Sequence, residues 1–216
     1  MSLQKLKHVI LTRFNLGLYD SATAEEWMAQ RWPLFVRTRE SVLNQEGDFE
    51  WRISVDRRTP GVWLGRMAND KRIRLSLDHP KEFRSEGWTI TTRLDNDDLL
   101  FPGAVKAIQD AFEPRTLVVD LKYYQLYGGK LYTSGRNEDN WERPNPNSPF
   151  LSLIENGAKK TCYARPHSKM IEDFDSKFAS NDVYACMVVH ENNLGNSVVG
   201  REVNMDSLPD YIKNNI

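Results

Sequence analysis

Cysteine is scarce in this chain, with only Cys162 and Cys186 among 216 residues. Two thiols cannot build a disulfide framework or a four-thiolate zinc site, so they are expected to be the reduced thiols of a cytoplasmic protein. Long apolar runs are missing too. Nowhere do about 18 uninterrupted apolar residues occur, which leaves no candidate for a membrane-spanning helix. The run His8-Val9-Ile10-Leu11 is too brief for a signal-peptide core and is soon interrupted by Arg13 and Asn15. Charge of one sign is equally lacking. Lys and Arg total 29 against 30 Asp and Glu, so the chain as a whole has no attraction for a nucleic-acid backbone or an anionic membrane. No internal repeat or low-complexity stretch is visible. What is present is 40% hydrophobic and 27% charged residues, enough for a packed core at a length that suits one domain over residues 1–216.

The pattern predicts alternating strands and helices. Val9 to Thr12 is a compact apolar run and reads as a buried first strand. After a loop, Ser21 or Thr23 caps a helix whose first turn carries Glu25 and Glu26, with Pro33 dividing it into two pieces. Phe49 to Asp56 and Ile73 to Leu77 alternate with period two, as strands do, and Trp88 to Leu94 is rich in the Trp, Ile and Thr that strands prefer. Pro102 opens a helix through about Phe112. Thr116 to Leu121 is a further strand continuing towards Tyr127, where Gly128-Gly129 predicts a hairpin into Lys130 to Thr133. Residues 135–149 read as a substrate loop, Leu151 to Asn156 as a short helix, Tyr184 to His190 as the last strand, and Asp206 to Lys213 as a terminal helix. Together these elements predict an α/β fold with a mixed, mostly parallel central sheet. Ligands in such sheets bind beyond the carboxyl ends of strands, where Asp56, Asp95 and His190 fall.

Asp95, Asp97 and Asp98 crowd the end of an apolar strand, which is costly unless a positive charge compensates them. As an isolated cluster they would read as a solvated loop capping the next helix, but Leu94 and Leu99 to Pro102 pin them between buried elements. A calcium loop of the EF-hand kind fails, because the positions that require Gly and Glu hold Leu100 and Lys106. A hard divalent ion held by one or two carboxylates and a substrate's phosphates fits better, and implies transfer at a diphosphate-linked group.

A strand followed by Asp-x-Asp in an α/β domain resembles the metal-binding motif of nucleotide-sugar glycosyltransferases with the GT-A fold. More narrowly, the chain resembles a family of bacterial and phage proteins assigned as rhamnosyltransferases. The resemblance is carried by His8 to Asn15, Trp51 to Pro60, Thr92 to Asp98, Ser148 to Glu155 and Val189 to Asn193. It implies a GT-A-like single domain that moves a sugar, rhamnose in the narrower reading, from a nucleoside-diphosphate donor to a glycan or other hydroxyl acceptor, with Mn²⁺ or Mg²⁺ as cofactor.

By the same resemblance Thr12, Arg13 and Phe14 line the base and phosphate site, and Asp56 meets the base or ribose. For Phe14 core packing is an equal alternative, and for Arg13 a surface ion pair. Asp97 is the leading metal ligand, Asp98 a second one, and Asp95 touches the ribose or a metal-bound water. Arg93 binds phosphate or simply neutralises the aspartates. His190 is a further metal or diphosphate ligand, and Asn193 binds phosphate or sugar. If transfer inverts the anomeric centre, a carboxylate takes the acceptor proton; Glu155 is the first choice and Asp139 the second. The alternative for Glu155 is an ordinary helix-face carboxylate.

Two other functions share these features. One is a non-catalytic carbohydrate-binding module on the same scaffold, its six Trp and eight Tyr supplying stacking faces. The other is a phage enzyme that glycosylates a DNA base. That enzyme needs a basic surface, for which Arg57-Arg58 and Lys71-Arg72 with Arg74 are the only candidates.

Overall fold

The computed structural model describes residues 6–133, 148–191, 198 and 200–216. Its centre is a curled, mixed sheet of nine strands. In chain order these are β1 (Lys7–Arg13), β2 (Glu50–Ser54), β3 (Ile73–Ser76), β4 (Trp88–Arg93), β5 (Leu99–Leu100), β6 (Leu117–Tyr127), β7 (Lys130–Thr133), β8 (Leu151–Asn156) and β9 (Ser176–Val188). The helices are α1 (Ala24–Leu43), α2 (Gly61–Met67), α3 (Ala104–Asp110), α4 (His167–Asp173) and α5 (Asp210–Lys213).

The strands lie in the order β3-β2-β1-β4-β8-β6-β9-β5, with β7 also on β6. The first four are mutually parallel, and β8 runs antiparallel to both β4 and β6. β6 and β9 are again parallel, with a register irregularity between Asp120 and Tyr123. Parallel strands are covered on both faces, which explains why five consecutive residues of β1, Val9 to Thr12 included, are fully buried. On one face Ile10, Trp51, Ile53, Ile90, Val119 and Ile154 pack with Met28, Phe35 and Val42 of α1 and with Val105 and Ile108 of α3. On the other, Val9, Leu11, Val118, Leu151 and Leu153 pack with Cys162 and Met170. Both cysteines are free and buried.

Polar side chains also cross the sheet. Thr92 Oγ1 lies 2.8 Å from His8 Nε2 and 2.7 Å from Ser152 Oγ, linking β1, β4 and β8. The hairpin expected at Gly128-Gly129 forms as predicted. Both glycines have positive φ, 57° and 77°, the conformation that a two-residue turn needs to match strand twist.

Two expectations are corrected. Leu151–Asn156 is a strand, because it fills the slot between β4 and β6, where both of its faces are buried. A six-residue run apolar on both sides carries no period that separates helix from strand. Pro33 does not divide α1, which is helical from Ala24 to Leu43. Pro33 and Ala29 are both exposed, so water can satisfy the carbonyl that loses its donor, while Met28 and Phe35 hold the helix to the sheet on the opposite side. The short helices α2 and α4 carried no sequence expectation. The helix expected from Pro102 starts at Ala104, after Gly103.

Candidate active site

The carboxyl ends of β1 to β4 come together, and the loops that leave them are bonded to one another. After β1, the Asn15 side chain donates to Thr59 Oγ1 (3.0 Å) and accepts from the Asp56 backbone N–H (2.9 Å). Asp56 in turn accepts from the Gly17 backbone N–H at 3.0 Å. Arg58 donates to Asp56 from its backbone and its Nε, at 2.9 and 3.0 Å, and holds that carboxyl well below the usual carboxylate range. Beside this junction lies a cleft of about 450 Å³ lined by Leu16, Asp20, Val55, Asp56, Arg58 and the exposed Leu77. Arg57 also borders it.

Two residues expected to line a nucleotide site are turned into the protein. Thr12 is fully buried and its hydroxyl accepts from Trp51 Nε1 at 2.9 Å. Phe14 packs edge-on against Phe35 and Trp27, with centroids 4.8 and 5.8 Å away. For Phe14 the packing alternative therefore describes its contacts. Arg13 is exposed at the end of β1.

The four residues after β4 and Leu94 each hold a different element. Asp95 pairs with Arg93 at 3.0 Å, and the Arg93 guanidinium lies 5.1 Å over the Tyr163 ring. Burial opposes the Arg93 charge, but Asp95 outweighs it and its pKa is raised. Asn96 donates to the Phe14 carbonyl at 2.8 Å. Asp97 Oδ2 is met by Arg31 Nη1 of α1 and, at 2.9 Å, by Nε2 of His190, which follows β9. Asp98 is buried and accepts from the Val188 backbone N–H at 3.0 Å. Burial first, then Asp97 and Asp95, raises the Asp98 pKa well above the ordinary carboxylate value.

Of the expected site residues, Asp97 and His190 are thus in contact, with Arg93 and Asp95 paired beside them. Glu155 is not brought to this place. It sits opposite Thr89, at the amino end of β4, and accepts from the Lys160 backbone N–H at 2.6 Å. Four residues of strand separate that level from Arg93, roughly 13 Å at 3.3 Å per residue. Asp139 and Asn193 lie outside the described residues. Sequence reasoning missed Arg31, Asn96 and Asn15. Arg31 carried a readable signal: Ala24, Met28, Arg31, Phe35, Thr38 and Val42 follow the buried stripe of α1, and a charge within such a stripe needs a partner. Asp120 was also missed. It is buried on β6 opposite Leu151, one residue beyond the level of Thr92.

These donors match the divalent ion implied by the resemblance poorly. Asp97 offers its carboxylate and His190 one ring nitrogen, while Asp98 accepts from the Val188 N–H. Among the described residues no three His, Cys, Asp or Glu side chains are grouped to hold a metal. An ion with substrate phosphates can manage with fewer protein ligands, but Arg31 Nη1 contacts Asp97 and lies 3.3 Å from His190 Nε2. An ion bound to both ligand atoms would come within about 4 Å of that guanidinium, a repulsion of roughly 4 kcal/mol per unit charge on the ion at an effective dielectric of 20. With Arg31 in place, the pair does not accommodate the ion.

No known family profile matches the sequence, and no curated protein matches it. Among the described residues no helix is long and apolar enough to cross a membrane. A likeness exists among solved structures. The crystal structure of residues 1–349 of S. aureus TarS, a glycosyltransferase, is similar with a TM-score of 0.51 and 11% identity, covering 84% of this chain. The chain spans 60% of the length of that TarS chain. The likeness is one of fold, and the chain has a GT-A-like α/β architecture of the kind found in a glycosyltransferase.

Proposed function

We propose that the protein is a glycosyltransferase that takes a sugar from a nucleoside-diphosphate donor to a hydroxyl acceptor, acting as one GT-A unit. A rhamnosyl donor is the narrower form of this reading. The observation that carries it is the contact of Asp97, Arg31 and His190 beyond the carboxyl end of β4, on a GT-A-like fold whose loops after β1 and β2 border a cleft. In this reading the cleft takes the nucleoside, with Leu16 and Leu77 against the base and Arg57 or Arg58 near the ribose or phosphates. Arg13 stands exposed at the β1 end, where it can meet the diphosphate. Charge accumulates on the leaving diphosphate during transfer, and preoriented cationic donors stabilise it more as it grows. Glu155 is too distant to take the acceptor's proton. In this reading Asp120, level with the end of β4, or Asp139 takes that role.

The test is release of nucleoside diphosphate from a panel of UDP-, GDP-, CDP- and dTDP-sugars, dTDP-rhamnose included. One donor should be hydrolysed slowly without acceptor, and Asp97→Asn should lower that rate on the order of 100-fold. If no donor is consumed, or Asp97→Asn leaves the rate intact, the reading fails.

A further inference from the structure

Arg31 is a charged residue in the buried stripe of an otherwise ordinary amphipathic helix. Its side chain is 9% exposed, and its guanidinium lies 5.1 Å over the Trp27 ring. Both of its polar contacts, to Asp97 and His190, are made through Nη1. Among the described residues Nε and Nη2 make no hydrogen bond, so one full edge of the fork is unspent. Arginine used only to neutralise Asp97 would satisfy the carboxylate with two parallel donors, the geometry in which the pair is strongest. Here the carboxylate and the imidazole hold one corner, the indole supports the plane, and the remaining donors stay available. That is how a guanidinium is held for a second anion of bidentate shape, and a phosphate oxygen pair has that shape.

We infer that Arg31 is a buried cation that meets the donor's diphosphate alongside the exposed Arg13, oriented by Asp97, His190 and Trp27, and that a divalent ion competes with it for Asp97 instead of acting beside it. This inference rests on the reading of the site as a nucleoside-diphosphate site. It assigns to the protein's own side chain the charge that the acidic motif implies for a metal. Lysine at the same position supplies charge without the planar fork and fills the role only in part.

The experiment is calorimetric titration of UDP, GDP, CDP and dTDP into wild type, Arg31→Gln and Arg31→Lys, each in chelator and in Mn²⁺, with circular dichroism confirming the fold. Wild type should bind one of the four in chelator. Arg31→Gln should lose about ten-fold or more of that affinity, the scale of one charged hydrogen bond, and Arg31→Lys should fall between. Mn²⁺ alone, followed by its electron paramagnetic resonance signal, should bind Arg31→Gln more tightly than wild type, because the competing charge is gone. If wild type binds only with Mn²⁺ and Arg31→Gln binds equally well, the inference is overturned while the glycosyltransferase reading stands. If no nucleoside diphosphate binds with or without Mn²⁺, both fall. Should Arg31→Gln fail to fold, an Arg31→Lys affinity in chelator equal to wild type overturns the inference, and a partial loss supports it.

Discussion

Mild acid should weaken this fold through His8. The ring is 2% exposed within β1, with Nε2 on the Thr92 hydroxyl and Nδ1 without a hydrogen-bond partner among the described residues. Burial lowers its pKa from 6.5 to about 3. Between those two values the unfolded chain binds a proton that the folded protein refuses. The contribution is therefore fully present above pH 6.5 and is lost as the pH falls towards 3. Linkage puts the loss between pH 7 and pH 5 at about 2 kcal/mol, approaching ~1.4 kcal/mol per further pH unit. Urea unfolding followed by tryptophan fluorescence at pH 7, 6 and 5 measures it directly. His79, whose pKa is lowered chiefly by its own burial, acts in the same direction. The decisive quantity is therefore the difference between wild type and His8→Gln, which keeps a polar group near Thr92 but cannot titrate. Wild type should lose about 2 kcal/mol more than His8→Gln over that range. Equal losses in the two proteins would refute the reasoning.

Two further changes probe the ends of the sheet. Asn96→Ala removes the only side-chain donor to the Phe14 carbonyl among the described residues and should cost about 1–3 kcal/mol in urea unfolding, the penalty of an unsatisfied buried group. Glu155→Gln, at the amino end of β4, should leave donor hydrolysis within about two-fold of wild type; a loss as large as that of Asp97→Asn would mean that the two carboxylates work at one site.

The strands around the site were legible because period-two alternation survives wherever one face differs from the other. Glu50–Ser54 shows this in its first four residues, while Trp88–Arg93 was legible from its Trp, Ile and Thr content, which let the acidic run after β4 be positioned. β8 was not legible, because its two covered faces erase the period. The roles of Thr12 and Phe14 were opaque for a different reason. A residue at a strand's end can turn into the core or out to the cleft, and only the neighbours Trp51, Phe35 and Trp27 decide which. Arg31 lies about 66 positions before the carboxylate that it meets, and no local pattern joins them. Its spacing within the α1 stripe marked it as buried without naming its partner.

The four residues from Asp95 to Asp98 grip β4, the turn after β1, helix α1 and the end of β9 in succession. A segment so anchored behaves as a rivet of fixed length between the parallel half of the sheet and the half built on β6 and β9. Inserting or deleting one residue there would break several grips at once, so length variation belongs in other loops. Mechanically, this joint adds to the one that β8 makes by pairing with both β4 and β6. An anion drawing on Arg31 would therefore be felt through Asp97 and Asp98 at the Val188 amide, which donates to Asp98 and whose hydrogen exchange reports on the site.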